Sequence, residues 1–183
     1  MNLIYSFYIP QTEQLVNLCK VSNNLYNQAL YLFRQALKNE NKWLWYADMD
    51  KLMKTTPNLE GEINYRLLKA QVSQQILKVL EKNIKAYCKA IKDFKTNPAK
   101  YKAMPQLPSF RKRSGLFNLY YPNQSAIIKN GKIRLAKDLE ILIPQWDKYK
   151  ERIQNFQQVR ILPSGKKLKV EIVYRYEIKD ANL

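Results

Sequence analysis

Histidine is absent from this 183-residue chain. With it go the usual general base near neutral pH and the commonest transition-metal ligand, so no Ser-His or Cys-His nucleophile can be assembled. Cysteine occurs twice, as Cys19 and Cys88. Neither belongs to a CxxC pair, which leaves too few ligands for a structural zinc site. Both read as reduced, packed thiols of an intracellular protein. Long apolar runs are missing too, since none approaches the ~20 residues needed to cross a bilayer. The start, MNLIYSFYIP, lacks the basic n-region and long apolar stretch of a secretory signal. The expected address is the cytoplasm, with no membrane partner. Phosphate-cradling and nucleophile-elbow patterns (GxxxxGKS/T, GxGxxG, GxSxG) are also absent.

Acidic residues are few, 15 against 32 basic ones, and they form no convincing catalytic set. Asp48 and Asp50 stand two apart on an expected helix and point in different directions. Glu60 and Glu62 fall in a loop, Asp138 and Glu140 flank a strand, and Glu171 and Glu177 lie six apart on the polar face of the last strand. Each reads as a solvated or salt-bridged carboxylate rather than a magnesium ligand. No catalytic residue, metal site or cofactor is expected from the chain's own side chains.

What is present is positive charge, a formal net +17. Its densest expression is the stretch 94–137, which contains no acid at all. It carries Lys95, Lys100, Lys102, Arg111, Lys112, Arg113, Lys129, Lys132, Arg134 and Lys137, with Phe94, Tyr101, Phe110, Phe117, Tyr120 and Tyr121 threaded among them. Such a run repels itself unless a polyanion neutralises it, and rings can stack on unpaired bases while cations meet phosphates. The plainer alternative is a solvated basic surface whose aromatics belong to the core. The whole-chain balance favours a nucleic-acid binder, and a hydrophobic content of 46% favours a folded one over a basic tail.

Leu3 to Ile9 alternate as a short strand ended by Pro10. Thr12 then caps a helix running to about Asn39, with Leu15, Leu18, Ser22, Leu25, Ala29, Phe33 and Ala36 at helical spacing. Trp43 to Lys54 reads as a second, shorter helix, closed by Thr55, Thr56 and Pro57. A third helix is expected from Glu62 to Lys95. Its apolar face holds Val72, Ile76, Leu80, Ile84, Tyr87, Ile91 and Phe94. Lys78, Lys82, Lys85, Lys89, Lys92 and Lys95 project from the opposite side. A lysine stripe can be a solubilising face only, but its continuity with the basic 94–137 segment points to a phosphate-lined groove. Pro98, Pro105 and Pro108 mark a linker, after which the period changes to two. Asn130-Gly131 between Ala126–Lys129 and Lys132–Leu135 signals a hairpin with a type I′ turn. Leu139–Ile143 follows as a strand, and then an irregular or briefly helical stretch around Trp146–Phe156. Val159–Leu162 and Lys167–Ile178 flank a turn at Pro163-Ser164-Gly165. The fold class is therefore α+β, with a three-helix insertion after the first strand of a small antiparallel β-barrel.

The order of these pieces resembles the N-terminal half of the TnpB proteins, transposon-encoded RNA-guided DNA nucleases related to the type V CRISPR effectors. The matching parts are IPQTEQ (9–14), NNLYNQAL (23–30), VSQQILKVLEKNIKAY (72–87), LPSFRKR (107–113) and IIKNGKIRLAKDLEILIP (127–144). They keep the family's order and spacing over nearly the whole chain. The resemblance implies a split wedge domain, an oligonucleotide-binding-like barrel, from residues 1–10 and 105–183, with 11–104 as a helical recognition lobe. It implies guide RNA and target DNA as partners. At matching positions Tyr46, Gln74 and Asn123 are similar to residues that contact the short DNA motif beside the target. Pro122 stands where the family often has a small polar residue, and Ala70 where it can have a lysine.

In the family a RuvC nuclease domain follows, with its catalytic aspartate and, further on, a zinc ribbon; the present sequence ends at EIKDANL. Magnesium is thus expected only at a RuvC site outside this chain, and a RuvC-bearing nuclease chain acting in trans is a possible partner. The charge reading adds an expected backbone-binding set of Lys78, Lys82, Lys85, Lys89, Arg111, Lys112, Arg113, Lys129, Lys132 and Arg134. The expected function is binding of guide RNA and recognition of a DNA motif without cutting. Two rivals stay open, a stand-alone basic RNA-binding protein and a nuclease-less DNA-binding repressor that docks a helix in the major groove.

Overall fold

The computed structural model describes residues 1–176; Glu177 and Ile178, expected in the last strand, lie outside the described residues. The architecture is mixed α+β, with four α-helices and two antiparallel sheets. The chain divides into two compact units, Met1–Cys19 with the residues from Phe117 onward, and Lys20–Leu116. The proline-bounded segment 105–116 groups with the helices in this division.

In the sheet-bearing unit, β1 (Asn2–Pro10) pairs along its whole length with β7 (Lys167–Arg175). Next to β7 runs β6 (Phe156–Ser164), and β2 (Leu119–Pro122) closes the order β1-β7-β6-β2. Alternation puts Phe7, Val170, Ile161 and Leu119 in one buried row, with Ile172, Val159 and Tyr121 in the next. Val173, on the opposite side of β7, is buried as well. β2 escaped the sequence reading because LYYP is short and ends in proline, a poor strand signal by itself.

The second sheet joins β3 (Ile127–Lys129), β4 (Lys132–Ala136) and β5 (Leu139–Leu142). Asn130 and Gly131 both take positive φ, 51° and 75°, as the type I′ turn requires. A Cβ at Gly131 would reach van der Waals contact with the Trp146 ring at 3.4 Å. α4 (Trp146–Ile153) starts there and stacks Tyr149 on Tyr5 of β1 at 4.0 Å. The two sheets share no ladder, and among the described residues no closed barrel forms.

The helical unit takes in most of α1 (Glu13–Glu40), then α2 (Tyr46–Met53) and α3 (Ala70–Thr96). The Thr12 hydroxyl accepts the Leu15 N–H at 3.3 Å, capping α1. Leu25, Ala29, Leu30 and Phe33 of α1 share the buried core with Met49 and Met53 of α2 and Val72, Ile76, Leu77, Leu80 and Ile84 of α3. The third helix begins later than its pattern suggested. Asn64–Leu67 is a single 3-10 turn, and Leu68 is extended. The cause is tertiary. Buried Asn64 donates to Gln28 at 2.9 Å and accepts from Asn58 at 3.1 Å, while the Tyr65 carbonyl takes the Ser73 hydroxyl at 2.8 Å. A continuous helix would give up these bonds, and a buried amide left unpaired costs about 1–3 kcal/mol. No helix of the described residues is long and apolar enough to cross a membrane.

Candidate nucleic-acid interface

α3 presents its two faces as the periodicity requires. Val72, Ile76, Leu80 and Ile84 are buried, while Lys78, Lys82, Lys85, Lys89, Lys92 and Lys95 are exposed. The stripe is not uniform. Glu81 interrupts it, accepting the Tyr46 N–H at 3.0 Å and the Lys85 ammonium at 3.1 Å. Burial pushes this carboxyl up, but the Tyr46 N–H and Lys85 outweigh it and hold the group below its ordinary range. Lys78 lies 5.2 Å from the Tyr46 ring centre, and Lys85 lies 5.8 Å from that of Trp45, which stacks on Trp43. Cation–π contacts at exposed sites contribute only about 0.5–1 kcal/mol, so a phosphate can compete for either lysine. Lys82 and Lys89 have no ion-pair partner among the described residues.

Two of the three expected motif-contacting residues, Tyr46 and Gln74, lie in the helical unit. Tyr46 opens α2, half-buried, and burial followed by the Asp50 charge raises its phenol. Gln74 is half-buried on α3, near the Tyr65 hydroxyl, which donates to Asp50 at 2.7 Å. Lys54 closes the group on the other Asp50 oxygen. Gln74 lies beside the Tyr65–Asp50 pair, and Tyr46 carries a lysine on its ring. Both remain at the surface, where a groove-edge contact can be made. Asp50 is consumed by Tyr65 and Lys54, which accounts for it as a structural carboxylate.

The expected cluster Arg111, Lys112 and Arg113 divides by role. Asn23 and Asn27, one turn apart on α1, clamp this segment to the helix. Asn27 exchanges two bonds with the Arg111 backbone, at 2.9 and 2.8 Å, and Asn23 donates to the Lys112 carbonyl at 2.9 Å. The Arg111 guanidinium turns inward, giving its Nε to Asn23 at 3.1 Å and an Nη to the Leu116 carbonyl at 3.2 Å. Arg111, though exposed, is therefore tied into the scaffold, and Lys112 and Arg113 are exposed beside it with no such side-chain bonds among the described residues. Sequence reasoning missed Asn23 and Asn27; their i,i+4 spacing inside an otherwise apolar helix face is the signal that could have found them.

In the sheet-bearing unit, Lys129, Lys132 and Arg134 come together on one exposed face of the hairpin. Lys129 faces Lys132, and Arg134 faces Ile127 on one side and Glu140 on the other. Exposed Ile127 and Leu142 lie on that face too, and its one acid, Glu140, pairs with Lys132 at 3.3 Å. Asn123 is exposed just after β2, at the rim of a hollow of about 480 Å³ shared with Gln154, Gln157 and Arg175. Amide groups and a guanidinium gathered in this way offer both donors and acceptors.

Most aromatics of the acid-free run turn out to be structural. Phe117 and Tyr121 are buried, and Phe94 meets Tyr101 edge-on at 5.7 Å. The Tyr101 hydroxyl and Lys100 both bind Asp93, at 2.6 and 2.8 Å, and close the end of α3. Cys19 is buried, and desolvation pushes its thiol up to about 12, which makes it inert. Among the described residues no three cysteines or acids gather into a group that could hold a metal ion. No family model matches the chain, and no curated protein matches it either.

Proposed function

We propose that this chain binds a structured guide RNA and reads a short DNA motif, as the recognition portion of an RNA-guided nuclease. The observation that supports the RNA-binding reading is the lysine-rich flank of α3, broken by Glu81, with Lys82 and Lys89 without an ion-pair partner among the described residues and Lys78 and Lys85 resting on Tyr46 and Trp45. A +17 chain with such a flank needs a polyanion. The step from RNA binding to RNA guidance rests on the resemblance to the TnpB family. On this reading the two-sheet unit takes the part of the oligonucleotide-binding-like wedge barrel, its hairpin face meeting RNA backbone. The helical unit takes the part of the recognition lobe. Tyr46, Gln74 and Asn123 read the motif, and Gln74 and Asn123 suit the adenine edge, which accepts paired bonds from amides. Cutting falls to a RuvC-bearing partner, which alone would hold magnesium.

Sequencing RNA that co-purifies with the tagged native protein tests this. One enriched structured RNA from the protein's own locus is expected. Bulk ribosomal RNA would instead identify a stand-alone RNA-binding protein, and duplex DNA without RNA a repressor.

A further inference from the structure

Of the six aromatics in the acid-free run, only Phe110 keeps a broadly exposed ring, at 48%. It sits in the helical unit, at the wall of an open hollow of about 450 Å³ whose other walls include Tyr26, Asn83, Ala86, Pro108 and Arg111. Exposed phenylalanine is costly to keep solvated, by about 25 cal/mol for each Å² of apolar surface. The ring is nonetheless held in place. The Arg34 guanidinium lies over it, 5.1 Å from its centre, and also donates to the Pro108 carbonyl. Behind it, the Asn27 bonds to the Arg111 backbone fix the chain on which Phe110 rides.

The floor of the hollow explains its existence. Ala86 is the small residue in the α3 stripe, four after Lys82 and three before Lys89, so both lysines flank it on one helix side. Asn83, one turn before Ala86, donates to the Tyr26 hydroxyl at 3.0 Å and brings a polar edge into the same space. A strand whose phosphates meet Lys82 and Lys89 passes Ala86, which lies between them on α3 and lines the hollow. We infer that this hollow takes one unpaired base of the bound RNA, stacked on Phe110 and floored by Ala86. The inference rests on the RNA-binding reading above and deepens it. The RNA it selects has a single-stranded position between two backbone contacts, where a base can leave the stack.

The test uses the whole chain and two strands of about 12 nucleotides, within the span of known single-strand sites. One is oligouridylate, and the other has the same backbone without bases; both are titrated over a range of salt. Phe110→Ala removes the stacking wall, and Ala86→Leu fills the hollow while leaving every cation and the ring in place. Each is expected to weaken oligouridylate by about fivefold or more, given typical stacking free energies. The abasic strand should bind both variants as it binds the parent, and thermal melts should show both folded. Unchanged oligouridylate affinity in the two variants overturns the inference. So does a parent chain that binds both strands equally well. A parent that binds neither strand in a salt-dependent way sinks the RNA-binding reading itself, a separate outcome.

Discussion

Asn23 has no exposed surface, yet it anchors two groups of the 111–116 segment, the Lys112 carbonyl and the Arg111 guanidinium. Asn23→Ala would leave a half-buried carbonyl and a charged donor short of partners, a loss of about 1 kcal/mol or more, readable as a fall in the urea midpoint. Arg111→Ala should likewise destabilise. Lys112→Ala with Arg113→Ala should not, since exposed substitutions away from such features stay within about 0.5 kcal/mol. That double variant should instead lower the log–log salt slope of RNA binding by about 1.4–1.8, two phosphate contacts' worth. If the slope is unchanged, the two cations are only a solvated surface. The side chains of LPSFRKR announced charge, but not which arginine the fold would keep for itself. That assignment depends on Asn23 and Asn27, more than eighty residues away, and no local pattern encodes it.

At the scale of elements, legibility followed the range of the interactions. The β3–β4 hairpin was readable because Asn130-Gly131 carries its own turn geometry. A methyl group at Gly131 would meet both positive φ and the Trp146 ring, so Gly131→Ala should lower the melting temperature, the left-handed backbone alone costing about 1–2 kcal/mol. The start of α3 was not readable, because Asn64 trades helix for bonds to Gln28 and Asn58. The end of α3 offers a pH test. Hydrogen bonds from Lys100, then Tyr101, then Asn97 hold the Asp93 carboxyl at about 2, against an ordinary 3.8. A depressed carboxyl contributes stability above its unfolded pKa and loses it as pH falls through the folded value. Asp93→Asn should therefore melt lower than the parent at pH 6, with the difference shrinking toward pH 2. A constant difference across that range would mean that the Asp93 charge is not what closes the helix.

For the whole molecule, the decisive expectation concerns catalysis. Given guide RNA, matching DNA and magnesium, the chain should bind without cutting. Two-metal hydrolysis needs carboxylates converging on ions ~4 Å apart, and Asp50, Asp93, Glu81 and Glu171 are each tied to cations or hydroxyls of their own surroundings. A nuclease assay on the purified chain, with and without a RuvC-bearing chain, checks this. Cleavage by the chain alone, lost on mutating one of its own acids, would overturn it. Randomised-flank selection on Tyr46→Ala, Gln74→Ala and Asn123→Ala should shift flank preference more than total affinity, by about 1–3 kcal/mol of discrimination for each amide pair. An unchanged preference in all three would reject that site assignment.

The pairing of β1 with β7 also sets a timetable. A ribosome releases Asn2–Pro10 before their ladder partners, which follow roughly 160 residues later, a wait of roughly 10–30 s at ordinary elongation rates. Throughout that interval the nascent strand holds open backbone groups and the side chains of Ile4 and Tyr8, which stay exposed even after folding. The helices of Lys20–Leu116 can consolidate meanwhile through mostly local contacts. Newborn chains should thus pass through a stage with a finished helical half and a β1 strand still lacking its ladder partner, open to pairing with other chains.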